Sequence, residues 1–479
     1  MGDWEAVIGL ECHVELNTKT KMFCSCAVEF GAEPNSHTCP VCLGHPGSLP
    51  VPNREAIARI VKIGLALGSQ IAPHSMFHRK NYFYPDMPKD YQISQYDLPI
   101  CVGGHLDVDL PDGSTSRIGI TRVHMEEDTG KTTHGSESGR IHDARHALID
   151  FNRAGVPLVE CVSEPDIRSP EEAGAYLREL RSTLEALDVS DVRMEEGSLR
   201  CDANVSLRPV GSDVFGTKVE IKNMNSVRSL ERALTYEIER QSAALEAGEP
   251  IVQETRHWDE DAGATRSMRS KEEAFDYRYF PEPDIPALEP DEGWIEDIRS
   301  SLPELPRARR ERYMQLGLKS DTARVLVADR GSVALFEGAL ALGGDPVAIA
   351  NWVTQDVASL RNTAGDGELT AQHVADVASL VADGTLSNAG GKQALEEAHA
   401  SGSRIADVVD RKNLRQVSDT GELGAWADEV IAENPDAVEK FRTGKEGVIG
   451  FLVGQLMKKA GGAANPKVAQ GLLRERLQA

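Results

Sequence analysis

Apolar and polar residues alternate with period two in several stretches of the first half of the chain. The clearest lies in 194–226, MEEGSLRCDANVSLRPVGSDVFGTKVEIKNMNS. Leu199, Cys201, Ala203, Val205 and Leu207 share one face, and Arg200, Asp202, Asn204, Ser206 and Arg208 the other. Such alternation marks a half-buried strand. In a second run Val219 and Ile221 oppose Lys218, Glu220 and Lys222, and Pro, Gly, Ser and Asp in 209–216 predict a hairpin between the two. Residues 4–16 repeat the pattern, with Trp4, Ala6, Ile8, Leu10, Cys12, Val14 and Leu16 against Glu11, His13 and Glu15. In 117–127 Arg122, His124 and Glu126 share a face; in 158–164 Leu158, Glu160, Val162 and Glu164 do.

Helical spacing appears between these runs. Ile57, Ile60, Val61, Gly64, Leu65 and Leu67 predict a helix over 53–68. Ser169-Pro170-Glu171-Glu172 reads as a capping box with Pro at the first helical position. The helix it opens carries Leu177, Leu180, Leu184 and Leu187 as a stripe. Ser226 caps another, with Val227, Leu230, Leu234 and Ile238, ending near Gly248. Turns separate the strands more often than helices do, which predicts an antiparallel sheet with flanking helices, an α+β arrangement. Six prolines in 281–306 mark a boundary. Beyond it the pattern is helical at 322–327, 333–341, 346–357, 370–381 and 389–400. A second change near 401–403 opens a tail of three or four short helices, with Phe441, Val448, Phe451, Leu452, Leu456 and Met457 as its expected core and Gly-Gly at 461–462 before the last helix.

At 479 residues the chain is too long for one core. No apolar run approaches a membrane span, and the N-terminus has no signal-peptide pattern. A cytoplasmic location and no membrane partner are expected. The net charge of −24 argues against a general nucleic-acid binder, so no DNA partner is expected. Residues 440–479 depart from this: Lys440, Arg442, Lys445, Lys458, Lys459, Lys467, Arg474 and Arg476 face only Glu446 and Glu475. That basic end suggests a local anionic contact.

Cys24, Cys26, Cys39 and Cys42 form two close thiol pairs, the spacing of a closed structural Zn²⁺ site; four free thiols are the alternative. Cys12, Cys101, Cys161 and Cys201 fall on apolar faces and read as core. Glu11 and Glu15 flank His13, a set that can converge on a hard cation or a phosphate, unless the face is merely solvated. Glu126-Glu127-Asp128 is either a metal ledge or a solvated turn. Gly130-Lys131-Thr132 is no phosphate loop, because Met125 stands where that motif needs Gly. Residues 78–96, HRKNYFYPDMPKDYQISQY, hold five aromatics without a period; they line a pocket or channel, or form an ordered surface loop.

These residues carry a resemblance. GLECHVEL (9–16), CPVCLGHPG (39–47), KNYFYPDMPKDYQISQYD (80–97), HMEEDTGK (124–131), EPDIRSPEEA (164–173), MEEGSLRCDAN (194–204), KVEIKNMNS (218–226), MRSKEEAFDYRYFPEPDIP (268–286) and GFLVGQLMKKAGGAANP (450–466) resemble the B-subunit family of the aspartyl/glutamyl-tRNA(Asn/Gln) amidotransferases, the GatB/GatE family. The chain departs from the family pattern at Cys12, Cys161, Met125 and His45. The two cysteines fall on apolar faces, and His45 is a fifth candidate beside the four zinc thiols.

The resemblance implies an antiparallel-sheet cradle domain over 1–293 with a zinc-binding insertion at about 23–43, an all-α domain over 294–402 and a small all-α, tRNA-binding tail over 403–479. It implies ATP-dependent phosphorylation of the side-chain carboxylate of mischarged Glu-tRNA(Gln), Asp-tRNA(Asn) or both, then amidation. Ammonia would come through a channel from a glutaminase A subunit, with a C subunit completing a heterotrimer. The chain lacks the Gly-Gly-Ser-Ser run and Ser–Lys pattern of the amidase partner, so it is not expected to release ammonia itself. Phosphoryl transfer with Mg²⁺ needs carboxylate oxygens and cations. The residues that suit it are Glu11, His13, Glu126, Glu160, Asp202, Asn204, Lys218, Glu220 and Lys222. Glu11, His13, Glu126 and Glu160 are the expected Mg²⁺ ligands, with Glu127 joining them around the nucleotide. Two other classes are a self-contained ligase of the glutamine-synthetase kind, against which the basic tail argues, and a non-enzymatic tRNA-binding module, against which the acidic strand faces argue.

Overall fold

Each alternating stretch is a strand in the computed structural model, which describes residues 4–135, 145–270, 277–365, 367–416, 420–460 and 464–478. Two compact units result, Met1–Pro306 and Arg307–Ala479. The first opens with β1 (Trp4–Glu15), α1 (Arg54–Ala66), β2 (Gln70–Ile71), β3 (His78–Asn81) and β4 (Tyr91–Ser94). β5 (Cys101–Val102), β6 (His105–Asp109), β7 (Thr115–Glu127) and the hairpin of β8 (Lys131–His134) and β9 (Ala147–Asp150) follow. Then come β10 (Pro157–Ser163), α2 (Pro170–Ala186), β11 (Leu199–Pro209), β12 (Val219–Met224) and α3 (Val227–Glu246). β13 (Glu254–Asp259), β14 (Ala264–Ser270), β15 (Phe280–Pro281) and α4 (Glu292–Ser300) complete the unit.

The main sheet runs β14-β13-β12-β11-β1-β10-β7-β4-β3-β15. Its pairs are antiparallel except β12 with β13, where α3 makes the crossover that a parallel pair requires. The alternation sets the core. Ala6, Ile8, Leu10, Cys12, Val14 and Leu16 of the β1 stretch and Leu199, Cys201, Ala203, Val205 and Leu207 of β11 are all buried. They pack in one core with Ile60 and Val61 of α1, Leu177, Leu180 and Leu184 of α2, and Leu230 and Leu234 of α3. The helix starts hold too. Asn53 Oδ1 accepts from the backbone of Glu55 (2.9 Å) and Ala56 (3.3 Å), Ser169 Oγ from Glu172 (3.1 Å), and Ser226 Oγ from Ser229 (3.0 Å). The expected capping box is altered: Glu172 accepts from the backbone of Arg168 (2.6 Å), one residue before the cap. Residues 78–96 hold the short strands β3 and β4, four residues each, too brief to give a visible period. Gly130-Lys131-Thr132 enters the strand β8, so no phosphate-binding helix follows it.

Trp294, Ile295 and Ile298 of α4 pack on the sheet's core, so that core reaches past residue 293. In the second unit, helices that include Ser320–Val327, Arg330–Leu342, Ala371–Ala382, Asn388–Ser401 and Ile405–Lys412 surround Phe336, Val353, Val377 and Leu395. The helix beginning at Pro346 passes through a π-helical stretch, Trp352–Val357. A separate core holds Leu423, Val430, Leu452, Leu456, Leu473 and Leu477. Phe441 belongs to it, but Phe451 is 51% exposed: in helix Ile449–Lys459 the inward positions are Ile449, Leu452 and Leu456, and Phe451 falls off that stripe. Gly461 and Gly462 lie outside the described residues.

Helix α1 meets the sheet at Gly64, where an added Cβ would stand 2.4 Å from Cys101 Sγ and 3.0 Å from its Cβ. Gly64→Ala therefore sets a helix-propensity gain of about 1 kcal/mol against overpacking of about 1–3 kcal/mol. The expected outcome is a lower thermal melting midpoint; a higher midpoint would show that the helix–sheet spacing is not set by this glycine.

Candidate functional site

Antiparallel pairing lays side chains of neighbouring strands side by side. His124 of β7 pairs with Glu160 of β10, Glu160 with His13 of β1, and His13 with Arg200 of β11. This row crosses four strands on the polar face. Glu160 Oε2 lies 3.3 Å from His124 Nε2 and 3.6 Å from His13 Nε2. Glu126, two residues beyond His124, places Oε1 3.5 Å from His124 Nε2. Ser94 Oγ donates to Glu126 Oε1 (2.9 Å), and Gln92 Nε2 to its Oε2 (3.2 Å).

Burial opposes every charge here, and the neighbours outweigh it. Against burial, the Glu160 and Glu126 carboxylates raise His124 to about 9. Against burial, Glu160, Glu126 and Asp202 raise His13 above the usual histidine value. Against burial, the charges of Lys80 and His124 hold Glu126 down near 2. Glu160 is held well below the usual carboxylate range, where His124 and His13 outweigh burial. Both carboxylates are thus ionised at neutral pH, and ligand atoms of His13, Glu126 and Glu160 lie within 4.8 Å of one another. Two carboxylates and an imidazole suit a hard divalent cation that also takes phosphate oxygens, with the imidazole giving up its proton to serve as a ligand.

Glu11 lies two residues before His13 on β1, outside that triad. It faces Asp202 and accepts from Asn204 Nδ2 at 2.9 Å. Asn204 in turn faces Glu220 of β12. Between Cys201 and Ala203 the β11–β12 register slips, with Asn223 at φ 71° in the bulge. Lys222, just before it, sets Nζ 2.6 Å from Asp202 Oδ2 and 3.4 Å from Glu220 Oε1. Glu220 also accepts from Thr255 Oγ1 at 2.7 Å. This second cluster of three acids around one ammonium adjoins the first.

Two expected members sit elsewhere. Lys218 precedes β12 and is exposed. Glu127 alternates to the opposite side of β7 from Glu126, where it pairs with Lys89 Nζ and accepts from the backbone of Ile93 (2.9 Å). A pleat sends consecutive residues to opposite faces, so adjacent acids cannot share one cation on the same strand. Residues absent from the expected set also appear. His124 is central to the row. Lys80 of β3 lies 4.8 Å from the Tyr277 ring; burial opposes its charge, but Glu126 and the nearby groups keep its pKa raised. Its aperiodic surroundings give no signal in the sequence. Arg200 lies on the face the alternation predicts, but only the register puts it beside His13.

The thiols of Cys24, Cys26, Cys39 and Cys42 cluster, all Sγ within 4.8 Å. Four sulfurs at that spacing, two already sharing a backbone loop at 3.9 Å, suit tetrahedral zinc. Lys21, fully buried, points Nζ at Cys42 Sγ (3.6 Å) and at the carbonyl oxygen of Phe151 (3.0 Å). The Cys24 bond, the Cys39 backbone N–H and Lys21 bring Cys42 down to about 4. His45 is exposed and outside the cluster, although it lines a cavity of about 200 Å³ with Lys21, Cys42, Lys89 and Glu127.

Residues 6–296, which hold both clusters, match the GatB/GatE catalytic domain, and residues 334–477 match the GatB domain. The chain is 53% identical to the B subunit of the aspartyl/glutamyl-tRNA(Asn/Gln) amidotransferase of Moorella thermoacetica, over 99% of its own length and all of that protein. It is 52% identical to the protein of the same name from Carboxydothermus hydrogenoformans, over 100% and 99% of the two lengths. A likeness that spans the acidic strands, the thiol cluster and both helical cores leaves one assignment: the chain belongs to the GatB/GatE family, as a relative of its amidotransferase B subunits.

Proposed function

We propose that the polar face of the sheet activates the side-chain carboxylate of a mischarged Glu-tRNA(Gln) or Asp-tRNA(Asn) with ATP and then amidates it. The observation that carries this reading is the row His124–Glu160–His13 with Glu126, in which two buried, ionised carboxylates converge with an imidazole on an apolar-backed sheet. Mg²⁺, held by His13, Glu126 and Glu160, would supply charge neutralisation at the phosphate oxygens. The substrate carboxylate is itself the nucleophile, so the protein needs no covalent group. Its oxygen attacks the γ-phosphorus of ATP and the bond to ADP breaks. Ammonia then attacks the acyl carbon, the C–O bond to phosphate breaks, and the amide forms. Around this, His124 orients Glu160 and Glu126, while Lys80 and Lys222 offer positive charge to phosphate oxygens. Ammonia would be delivered by a glutaminase A subunit, with a C subunit in the assembly. The thiol cluster would hold a structural zinc.

The tail is the proposed contact for the tRNA body. Some of its cations are already matched: Lys459 pairs with Glu429 and Glu433, Arg474 with Glu446, and Arg476 with Asp428. From 403 onward twelve cations face eleven acids, so the tail is basic in places only. Lys440, Lys445, Lys458 and Lys467 are exposed.

Three measurements test this. Glu126→Gln, assembled with its partner subunits, should lower tRNA-dependent ATP cleavage by about 10²-fold or more while glutamine hydrolysis stays measurable; near wild-type amidation would refute the site. Elemental analysis should find about one zinc per chain, lost in Cys39→Ser; a zinc-free wild type refutes the thiol assignment. Replacing Lys440, Lys445, Lys458 and Lys467 with Gln should raise the KM for mischarged tRNA and flatten the salt dependence of its binding by up to about four in log–log slope. An unchanged slope would remove the tail from the tRNA contact.

A further inference from the structure

The row that organises the polar face does not stop at His13. Its fourth member, Arg200, is the direct cross-strand neighbour of His13 on the same side of β11. Its guanidinium reaches Asp128 through Nη2, 2.8 Å from Oδ2. Asp128, 3% exposed, has further partners: the backbone N–H of Thr129 (2.8 Å), the Arg153 guanidinium (Nε at 3.6 Å) and the Glu15 carboxyl, which burial and Asp128 push up to about 8 so that it donates to Asp128. Arg153 is itself fixed by the carbonyl oxygens of Thr129 (3.0 Å) and Gly130 (3.0 Å). Asp128 therefore has one guanidinium beyond Arg200 and a backbone donor to satisfy its charge. Arg200, for its part, lies near Glu15 and Asp202 as well as Asp128, yet one of its donors is unused. Its Nε–H is sealed from solvent and has no acceptor among the described residues. A buried donor without an acceptor is rare in a folded protein. Here it sits on a planar fork whose geometry matches two oxygens of a phosphate.

We propose that Arg200 is a catalytic residue that binds the transferred phosphoryl group, with Asp128 and Arg153 as positioning residues that hold its guanidinium on the polar face of the sheet, on the strand next to His13. This rests on the phosphoryl-transfer reading of the face and adds the residue that grips the moving group. As the substrate carboxylate oxygen bonds to the γ-phosphorus and the bond to ADP breaks, charge gathers on the equatorial phosphoryl oxygens. Arg200 donates to one or two of them and remains protonated throughout. When ammonia displaces phosphate from the acyl carbon, the same fork carries the departing dianion.

The test uses the assembled complex and the probe ADP with aluminium fluoride in Mg²⁺ buffer, a mimic of the phosphoryl group in flight. Arg200→Met should weaken binding of that probe at least tenfold relative to ADP alone. It should also lower single-turnover, tRNA-dependent ATP cleavage by about 10²–10³-fold. Affinity for mischarged tRNA and glutamine hydrolysis by the partner should stay unchanged. Arg200→Lys, which keeps the charge but loses the fork, should fall between and guards against a misfolded Met variant. If Arg200 merely neutralises Asp128 and Glu15, Asp128→Asn together with Glu15→Gln in the Arg200→Met background restores ATP cleavage; persistent loss in that combined variant supports the phosphoryl contact. Arg200→Met with near wild-type cleavage, or restoration in the combined variant, overturns the proposal. Glu126→Gln separates the two levels. If it is inactive while Arg200→Met is active, only the Arg200 assignment fails; if both are active, the phosphoryl-transfer reading fails.

Discussion

A carboxylate sealed from water stays ionised only if a cation lies within a few ångströms, and the polar face of this sheet is arranged around that requirement. Glu126, Glu160 and Asp128 are nearly inaccessible; Lys80 of β3 and His124 of its own strand offset the charge of Glu126, His124 that of Glu160, and Arg200 of β11 that of Asp128. The cations are equally dependent on the acids, since burial alone would neutralise both His13 and His124. Charges that hold each other in this way stabilise little by themselves, but removing one leaves its partner uncompensated. Folding energy comes instead from the opposite face, where the alternate residues of the same strands pack against α1, α2 and α3. One set of strands thus does two jobs without mixing them.

That separation depends on register. A slip of one residue between β1 and β10 would turn Cys12 toward the acids and bury His13 in the apolar core. The apolar alternation in β1, β10 and β11 forbids the slip, and so it also fixes His124, Glu160, His13 and Arg200 in line. Register changes at bulges that lie outside the row: between Val162 and Ser163 of β10, between Thr255 and Arg256 of β13, and at Lys222–Asn223 of β12. At the last of these the Lys222 ammonium still meets Asp202, across the strand boundary from Glu11, as the ladder Asn204–Glu220, Ala203–Ile221 would place it.

Much of this is legible in the sequence, for a physical reason. Long strands with one buried face must alternate, so β1, β7, β10 and β11, the cap residues Ser169 and Ser226, and the thiol pairs can be read directly. What cannot be read depends on which strands become neighbours. Nothing local says that β1 lies between β10 and β11, so His124 and Arg200 carry no more weight than any other polar strand residue. Lys80 sits in a strand of four residues, too short for a period. Phe451 shows the converse error: the chemistry of a large apolar residue in a tail helix suggests the core, although its helical phase points it outward.

Glu126 and Glu127 tie the two centres of this unit together. They are consecutive, so the pleat sends one to the His13–Glu126–Glu160 triad and the other to the cavity beside the thiols. Gln92 Nε2 donates both to Glu126 Oε2 (3.2 Å) and to the carbonyl oxygen of Glu127 (2.7 Å), which fixes that peptide from the neighbouring strand. On the thiol side Lys21 is wholly buried, and its polar contacts are Cys42 and the carbonyl oxygen of Phe151. Lys21, Cys42, Lys89 and Glu127 line one cavity, so the cations and the acid on that side of β7 lie a single residue from the carboxylate that faces the polar side. The pleat therefore places two charged settings back to back, and the Gln92 amide, bonded to the Glu126 side chain and the Glu127 carbonyl, couples the geometry of one to the other.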